Sequence, residues 1–284
     1  MKYNKPIKRK PGGGITIRPQ RKKRRYIIAF AAGIGLFLSA DLFPQELELF
    51  SKIRDNDIKT VKELIKPGTD INLIIDDMMG YTALELAQDT LMMKVLINAG
   101  ADINLRNSRT GYTPLMMTIL NNKPEEAGFL LRQGADFRIK ANDGTTALIL
   151  ACGVSEELSR FLIKKGANIH ATTDKGQGVF TQCVIRGLRH ETVSYKLAEF
   201  LLSQGADIKE TNTTEYYGGY TPLLWAVQYN DANLVSFLVT HGANVNAKSN
   251  KGKTPLSMAS EAGFTDIAEI LKVAGAIHFN EDKK

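Results

Sequence analysis

The sequence predicts an all-α fold: a solenoid of stacked helix-turn-helix units with hairpin loops, preceded by a basic disordered tail and one short hydrophobic helix. Three observations predict it. First, a glycine motif recurs as KPGTDIN at 66–72, NAGADIN at 98–104, RQGADFR at 132–138, KKGANIH at 164–170, SQGADIK at 203–209, THGANVN at 240–246 and VAGAIHF at 273–279. Its glycines are 32 to 39 residues apart. Second, another motif keeps step with it: GYTALELA at 80–87, GYTPLMMT at 111–118, GTTALILA at 144–151, GYTPLLWA at 219–226 and GKTPLSMA at 252–259, with a degenerate copy GQGVFTQC at 176–183. Third, Leu and Ala follow at helical spacing, as in Leu84 with Ala87 and Leu223 with Ala226. Period is the signature of a repeat architecture, because one unit cannot bury its own apolar face and must stack on a neighbour.

Along the chain, residues 1–25 come first, with eleven Lys and Arg and no acid. Removing those eleven from the total of 37 leaves 26 cations against 30 acids, so the remainder is net negative although the whole chain is +7. That argues against a nucleic-acid-binding main domain, which carries a basic stripe. Residues 26–43 follow as a hydrophobic segment. Tyr26–Ala40 is uncharged and Asp41 ends it.

The repeats occupy 46–279, divided as 46–72, 73–105, 106–138, 139–170, 171–209, 210–246 and 247–279, with a polar tail at 280–284. In each full unit Thr82, Thr113, Thr146, Thr221 or Thr254 suits a helix start, because its hydroxyl can accept a free first-turn N–H. Pro114, Pro222 and Pro255 suit the first helical position, where the missing N–H costs nothing. A second apolar helix follows, such as NLVSFLVTHG at 233–242, and its glycine fits the left-handed position that ends a helix. The first unit lacks the G-x-T-P-L half and is expected to cap the array. The degenerate fifth unit is expected to be a weak joint.

With both motifs in phase, the chain resembles the ankyrin repeat, whose signature is close to G-x-TPLHxAA…GADVN. The family's His is missing throughout; its slot holds Glu85, Met116, Ile149, Thr181, Leu224 and Ser257. The resemblance implies protein binding through hairpin tips and inner helices. Carried over, the variable position after the first glycine is Tyr81, Tyr112, Thr145, Gln177, Tyr220 and Lys253, and the inner helices close on Gln228 and Tyr229 and on Glu261 and Ala262. An enlarged loop, KETNTTEYYGGY, adds Tyr216 and Tyr217. Tyrosine buries area at little entropic cost while keeping a polar tip. The expected partner-binding residues are therefore Tyr81, Tyr112, Tyr216, Tyr217, Tyr220, Gln228, Tyr229 and Lys253. Packing between neighbouring loops is the alternative for each tyrosine. Trp225 stands where the family places a core Leu and is expected to be core.

No enzyme is expected. There is no phosphate loop after a strand, no GxSxG and no HExxH. Cys152 and Cys183 make neither a disulfide framework nor a CxxC metal site, and the four histidines are scattered. Buried neutral thiols are expected, with a bond between adjacent units as the alternative if their Cα atoms lie within about 7 Å. No cofactor, metal or small-molecule substrate is implied.

RKKRR at 21–25 running into 26–43 fits a signal-anchor, a signal peptide cut after Ala40, or a core helix. A retained single-pass anchor is expected, with the basic N-terminus cytoplasmic and the repeats on the far side, periplasmic in a bacterium. The functional expectation is a non-catalytic scaffold displayed at or exported across a membrane, with a protein as partner. A secreted effector or inhibitor of foreign proteins is the alternative, and an accessory that stabilises a neighbouring enzyme is a third.

Overall fold

The structure is a computed structural model that describes residues 44–74, 80–189 and 195–277. Its helices are α1 (Pro44–Arg54), α2 (Ile58–Leu64), α3 (Ala83–Leu86), α4 (Thr90–Asn98), α5 (Pro114–Leu120), α6 (Pro124–Arg132), α7 (Ala147–Ala151), α8 (Glu156–Lys164), α9 (Val179–Arg189), α10 (Tyr195–Ser203), α11 (Pro222–Gln228), α12 (Ala232–Thr240), α13 (Pro255–Ala262) and α14 (Thr265–Val273). They pack as consecutive pairs, and the odd-numbered members stack in order to form an inner layer from α1 to α13. Among the described residues there is no strand; single bridge residues occur in the hairpin loops, as in the pairs Lys140–Thr146 and Thr172–Gly178.

Local chemistry sets the helix starts. Thr82, Thr113, Thr146, Thr221 and Thr254 are each extended, and each hydroxyl accepts the N–H three residues on. The slot lacking the family's histidine is put to use in two units: Glu85 accepts the Thr82 N–H at 2.8 Å, and Ser257 accepts the Thr254 N–H at 2.9 Å. Each thus satisfies a second first-turn donor, as a capping box does. The glycines that end the outer helices have φ from +86° at Gly275 to +98° at Gly68, a region closed to side chains with a Cβ.

Leucine, alanine and β-branched residues fill one continuous core from Leu49 to Leu271. Outside it, the tips of successive hairpin loops are tied backbone to backbone. Asn142 N–H donates to Thr110 O at 2.9 Å, Asp174 to Asp143 at 2.8 Å, Thr213 to Lys175 at 2.9 Å and Asn250 to Gly218 at 2.8 Å. The loops therefore form a row of fingers beside the inner helices.

The expected membrane placement is corrected. Among the described residues no helix is long and apolar enough to cross a membrane. The longest, α1 and α9, have 11 residues. At 1.5 Å per residue that is about 16 Å, against a hydrocarbon core of about 30 Å. Residues 1–25 and 26–43, on which the anchor and its alternative cleavage after Ala40 rested, lie outside the described residues, as does 280–284.

Candidate partner-binding surface

The loop before α11 is built to hold tyrosines. Asn212 N–H donates to Tyr220 O at 3.0 Å, Gly219 N–H to Asn212 O at 2.7 Å and Tyr220 N–H to Tyr217 O at 3.0 Å, closing residues 212–220 on themselves. Thr213 and Asn250 then tie the loop to the fingers on either side. Little backbone freedom remains to be lost when a ligand binds, which favours affinity.

Five rings meet on this frame. Tyr217 lies 4.7 Å from Trp225, and Tyr220 lies 5.1 Å from it, centroid to centroid. Tyr229, one helical turn after Trp225, stacks on it at 6.1 Å. Tyr216 meets Tyr217 edge-on at 4.7 Å, and the ammonium of Lys251 sits 3.9 Å over its face. Trp225 is buried, as expected for core, yet it is also the floor on which the tyrosines rest. Its indole N–H has no hydrogen-bond partner among the described residues.

Exposure divides the group. Tyr216 is 66% exposed and Tyr229 41%, while Tyr217 and Tyr220 are half-buried. Burial, then the neighbouring Tyr217 and Tyr216, raises the Tyr220 phenol above its ordinary value of 10. Its hydroxyl lies 3.3 Å from Gln228 Oε1, to which it donates.

Beside the rings, a cavity of about 360 Å³ opens between α11 and α13, lined by Tyr220, Val227, Gln228, Lys253, Met258, Glu261, Ala262 and Phe264. Lys253 pairs with Glu261 at its edge. The structure thus brings together Tyr216, Tyr217, Tyr220, Gln228, Tyr229 and Lys253 of the expected set. Tyr81 and Tyr112 stand apart: they precede α3 and α5, and α7 and α9 intervene before α11. Both are half-buried against the core. Phe264 and Met258 were not expected at the site. Phe264 precedes the outer helix α14 and reaches the cavity from the turn between α13 and α14.

Cys152 and Cys183 are both buried and free, and burial pushes both thiols well above the usual range. Among the described residues no group of His, Cys, Asp and Glu could hold a metal ion.

A family model described as "Ankyrin repeats (3 copies)" matches residues 85–173 and 190–282. The chain is similar to the putative ankyrin repeat protein YahD of Escherichia coli (strain K12), 29% identical over 231 residues, covering 78% of this chain and 93% of that protein. It is similar to NF-kappa-B inhibitor alpha of Gallus gallus, 29% identical over 202 residues, 68% of this chain and 62% of that protein. A third relative, palmitoyltransferase AKR1 of Lachancea kluyveri, is 25% identical over 221 residues, covering 75% of this chain but only 29% of that protein.

Proposed function

We propose that this chain, which belongs to the ankyrin-repeat family, is a non-catalytic scaffold that grips a protein partner through the surface around Tyr216, Tyr220, Gln228, Tyr229 and Lys253. The observation that carries the reading is the juxtaposition of exposed Tyr216, on a loop tied down at both sides, and exposed Tyr229, at the end of α11, with a cavity lined by Tyr220 and Gln228. Anchors that dominate binding energy are enriched in Tyr and Trp and sit in preformed pockets. Tyr217 serves the surface by packing under it, and Tyr81 and Tyr112 are secondary contacts farther along the same row. The seven helix pairs among the described residues support a division into the seven units given above.

The inhibitor alternative draws on the similarity to a protein named an inhibitor. It uses the same surface and differs only in what becomes of the partner, whose own activity with and without this chain separates the two. The test of the surface is cross-linked capture with the wild-type chain and with a Tyr216→Ala/Tyr229→Ala variant. A partner that is lost from the variant while the melting temperature holds supports the reading. A partner retained in full, or lost only in step with stability, overturns it.

A further inference from the structure

Resting on the reading above, the distribution of charge points to the partner's chemistry. The finger segments 106–113, 138–146, 171–178, 208–221 and 247–254 hold nine Lys and Arg and four acids. One of those acids, Glu210, is turned inward against Thr181 and Gly178. The cations Arg109, Lys140, Lys175, Lys209, Lys248 and Lys251 are all exposed. The chain beyond residue 25 is nevertheless net negative, 26 cations to 30 acids. Positive charge is thus gathered on these five segments, whereas the segment of the same register before α3, 75–82, has Asp76 and Asp77 and no cation. The last finger, at the rings and the cavity, has three lysines and no acid.

We propose that the finger row receives an acidic, extended peptide segment of the partner, which seats one apolar or aromatic side chain in the cavity between α11 and α13. Charge complementarity of this kind steers encounter and fixes register. The cavity supplies the anchor: its floor is Val227, Met258 and Phe264, and its rim is polar at Tyr220, Gln228 and the Lys253–Glu261 pair. Glu261 is already held by Lys253, so it does not oppose an incoming carboxylate as a free anion would. A peptide fits better than a nucleic acid. Tyr217 and Tyr220 are half-buried in contacts with each other and with Trp225, which leaves little open ring face on which a base could stack, and the net-negative array opposes a long polyanion.

The test is selection of a random dodecapeptide display library on the full-length chain, with the selected peptides then titrated by fluorescence anisotropy. Selected sequences should be rich in Asp and Glu around one apolar residue and should weaken with added salt. Affinity should fall by about tenfold or more, a change of about 1.4 kcal/mol, in Lys251→Glu and, independently, in Ala262→Trp, which fills the cavity. Sequences without acid bias, or binding indifferent to both variants, overturn the proposal. So does a single-stranded 20-nucleotide DNA that binds more tightly than every selected peptide. If the acid bias fails while capture still depends on Tyr216 and Tyr229, the surface stands and only the chemistry assigned to the partner falls.

Discussion

The carboxylate of Glu210 occupies the space that Gly178 leaves by having no side chain, and accepts the backbone N–H of Thr181. That N–H is the one a threonine hydroxyl receives in the units starting at Thr82, Thr113, Thr146, Thr221 and Thr254. The fifth unit has Gly178 at the threonine's place, and the cap is supplied by the following finger. Glu210 lies two residues before Asn212, where the loop carrying Tyr216, Tyr217 and Tyr220 closes on itself, so the cap also ties that loop to α9.

Removing the cap should therefore cost what losing a helix cap costs. Glu210→Ala is expected to lower stability by about 1–2 kcal/mol. Gly178→Thr alone should also destabilise, because a Cβ there runs into the carboxylate. Gly178 has no positive φ to forbid it, so the double variant should recover much of both losses by restoring a local threonine cap. Urea denaturation of the four proteins measures the coupling. Strictly additive losses would mean that Glu210 and Gly178 do not share one site.

Burial pushes both Glu85 and Glu210 up to about 7 from 4.5. Backbone and side-chain hydrogen bonds, from Thr82 and Asn107 to Glu85 and from Thr181 to Glu210, oppose that shift without cancelling it. Oxygen Oε1 of Glu85 is buried with no partner among the described residues, which suits a neutral carboxyl. Each acid binds its proton more tightly in the fold than in the unfolded chain. Their contribution is full below pH 4.5 and is lost as pH rises through about 7. The urea midpoint should thus fall between pH 5 and pH 8, and Glu85→Gln should flatten that slope. A midpoint that rises over this interval, or a slope unchanged in Glu85→Gln, contradicts the assignment.

The tyrosines of the enlarged loop should separate into two kinds. Tyr217 touches Tyr216, Tyr220 and Trp225, and such ring pairs contribute about 0.5–1.5 kcal/mol each beyond the area they bury. Tyr217→Ala is expected to cost about 2 kcal/mol. Tyr216 loses one such ring pair, with Tyr217, and the Lys251 contact of about 0.5–1 kcal/mol at an exposed site, so Tyr216→Ala should cost less than Tyr217→Ala, which loses three ring pairs. Thermal denaturation of the two variants checks the order, and the reverse order would make Tyr216 the structural residue.

What could be read from the sequence follows the range of each interaction. Threonine caps act over three residues, so the motif alone announced them, and all five are made. The left-handed glycines are local in the same way. Glu210 caps a helix 29 residues behind it, and nothing in its neighbourhood in the sequence marks it. The fifth unit accordingly looked like a weak joint, although its missing cap is replaced from outside. Six of the eight expected binding residues meet because they fall on adjoining fingers and helices. Tyr81 and Tyr112 share the slot of Tyr220 but not its neighbours, and repetition of a slot says nothing about which units act together.

Joints between units offer the last prediction. Asn72 accepts the Asp102 N–H at 2.7 Å, Asn104 accepts the Asp136 N–H at 2.8 Å and Asn246 accepts the Ile277 N–H at 2.9 Å, each spanning two neighbouring units. These are the joints at which outer helices pack closely: α2 on α4, α4 on α6 and α12 on α14. Arg138, His170 and Lys209 hold the same place at the middle joints. Contacts of longer side chains tie two of those joints, with Arg160 4.2 Å over the Phe200 ring and Tyr195 5.2 Å from Phe237. Arg138 is exposed and pairs with its near neighbour Asp136, an arrangement that adds little stability. Gly134 and Gly166 are 32 residues apart, as are Gly68 and Gly100, so an asparagine at 138 has the register of Asn72. Arg138→Asn should bring the Asn168 N–H within reach and add about 1 kcal/mol, the net value of one such hydrogen bond. Amide exchange at Asn168 should slow as the urea midpoint rises. If neither moves, the asparagines follow from close packing at their joints instead of producing it.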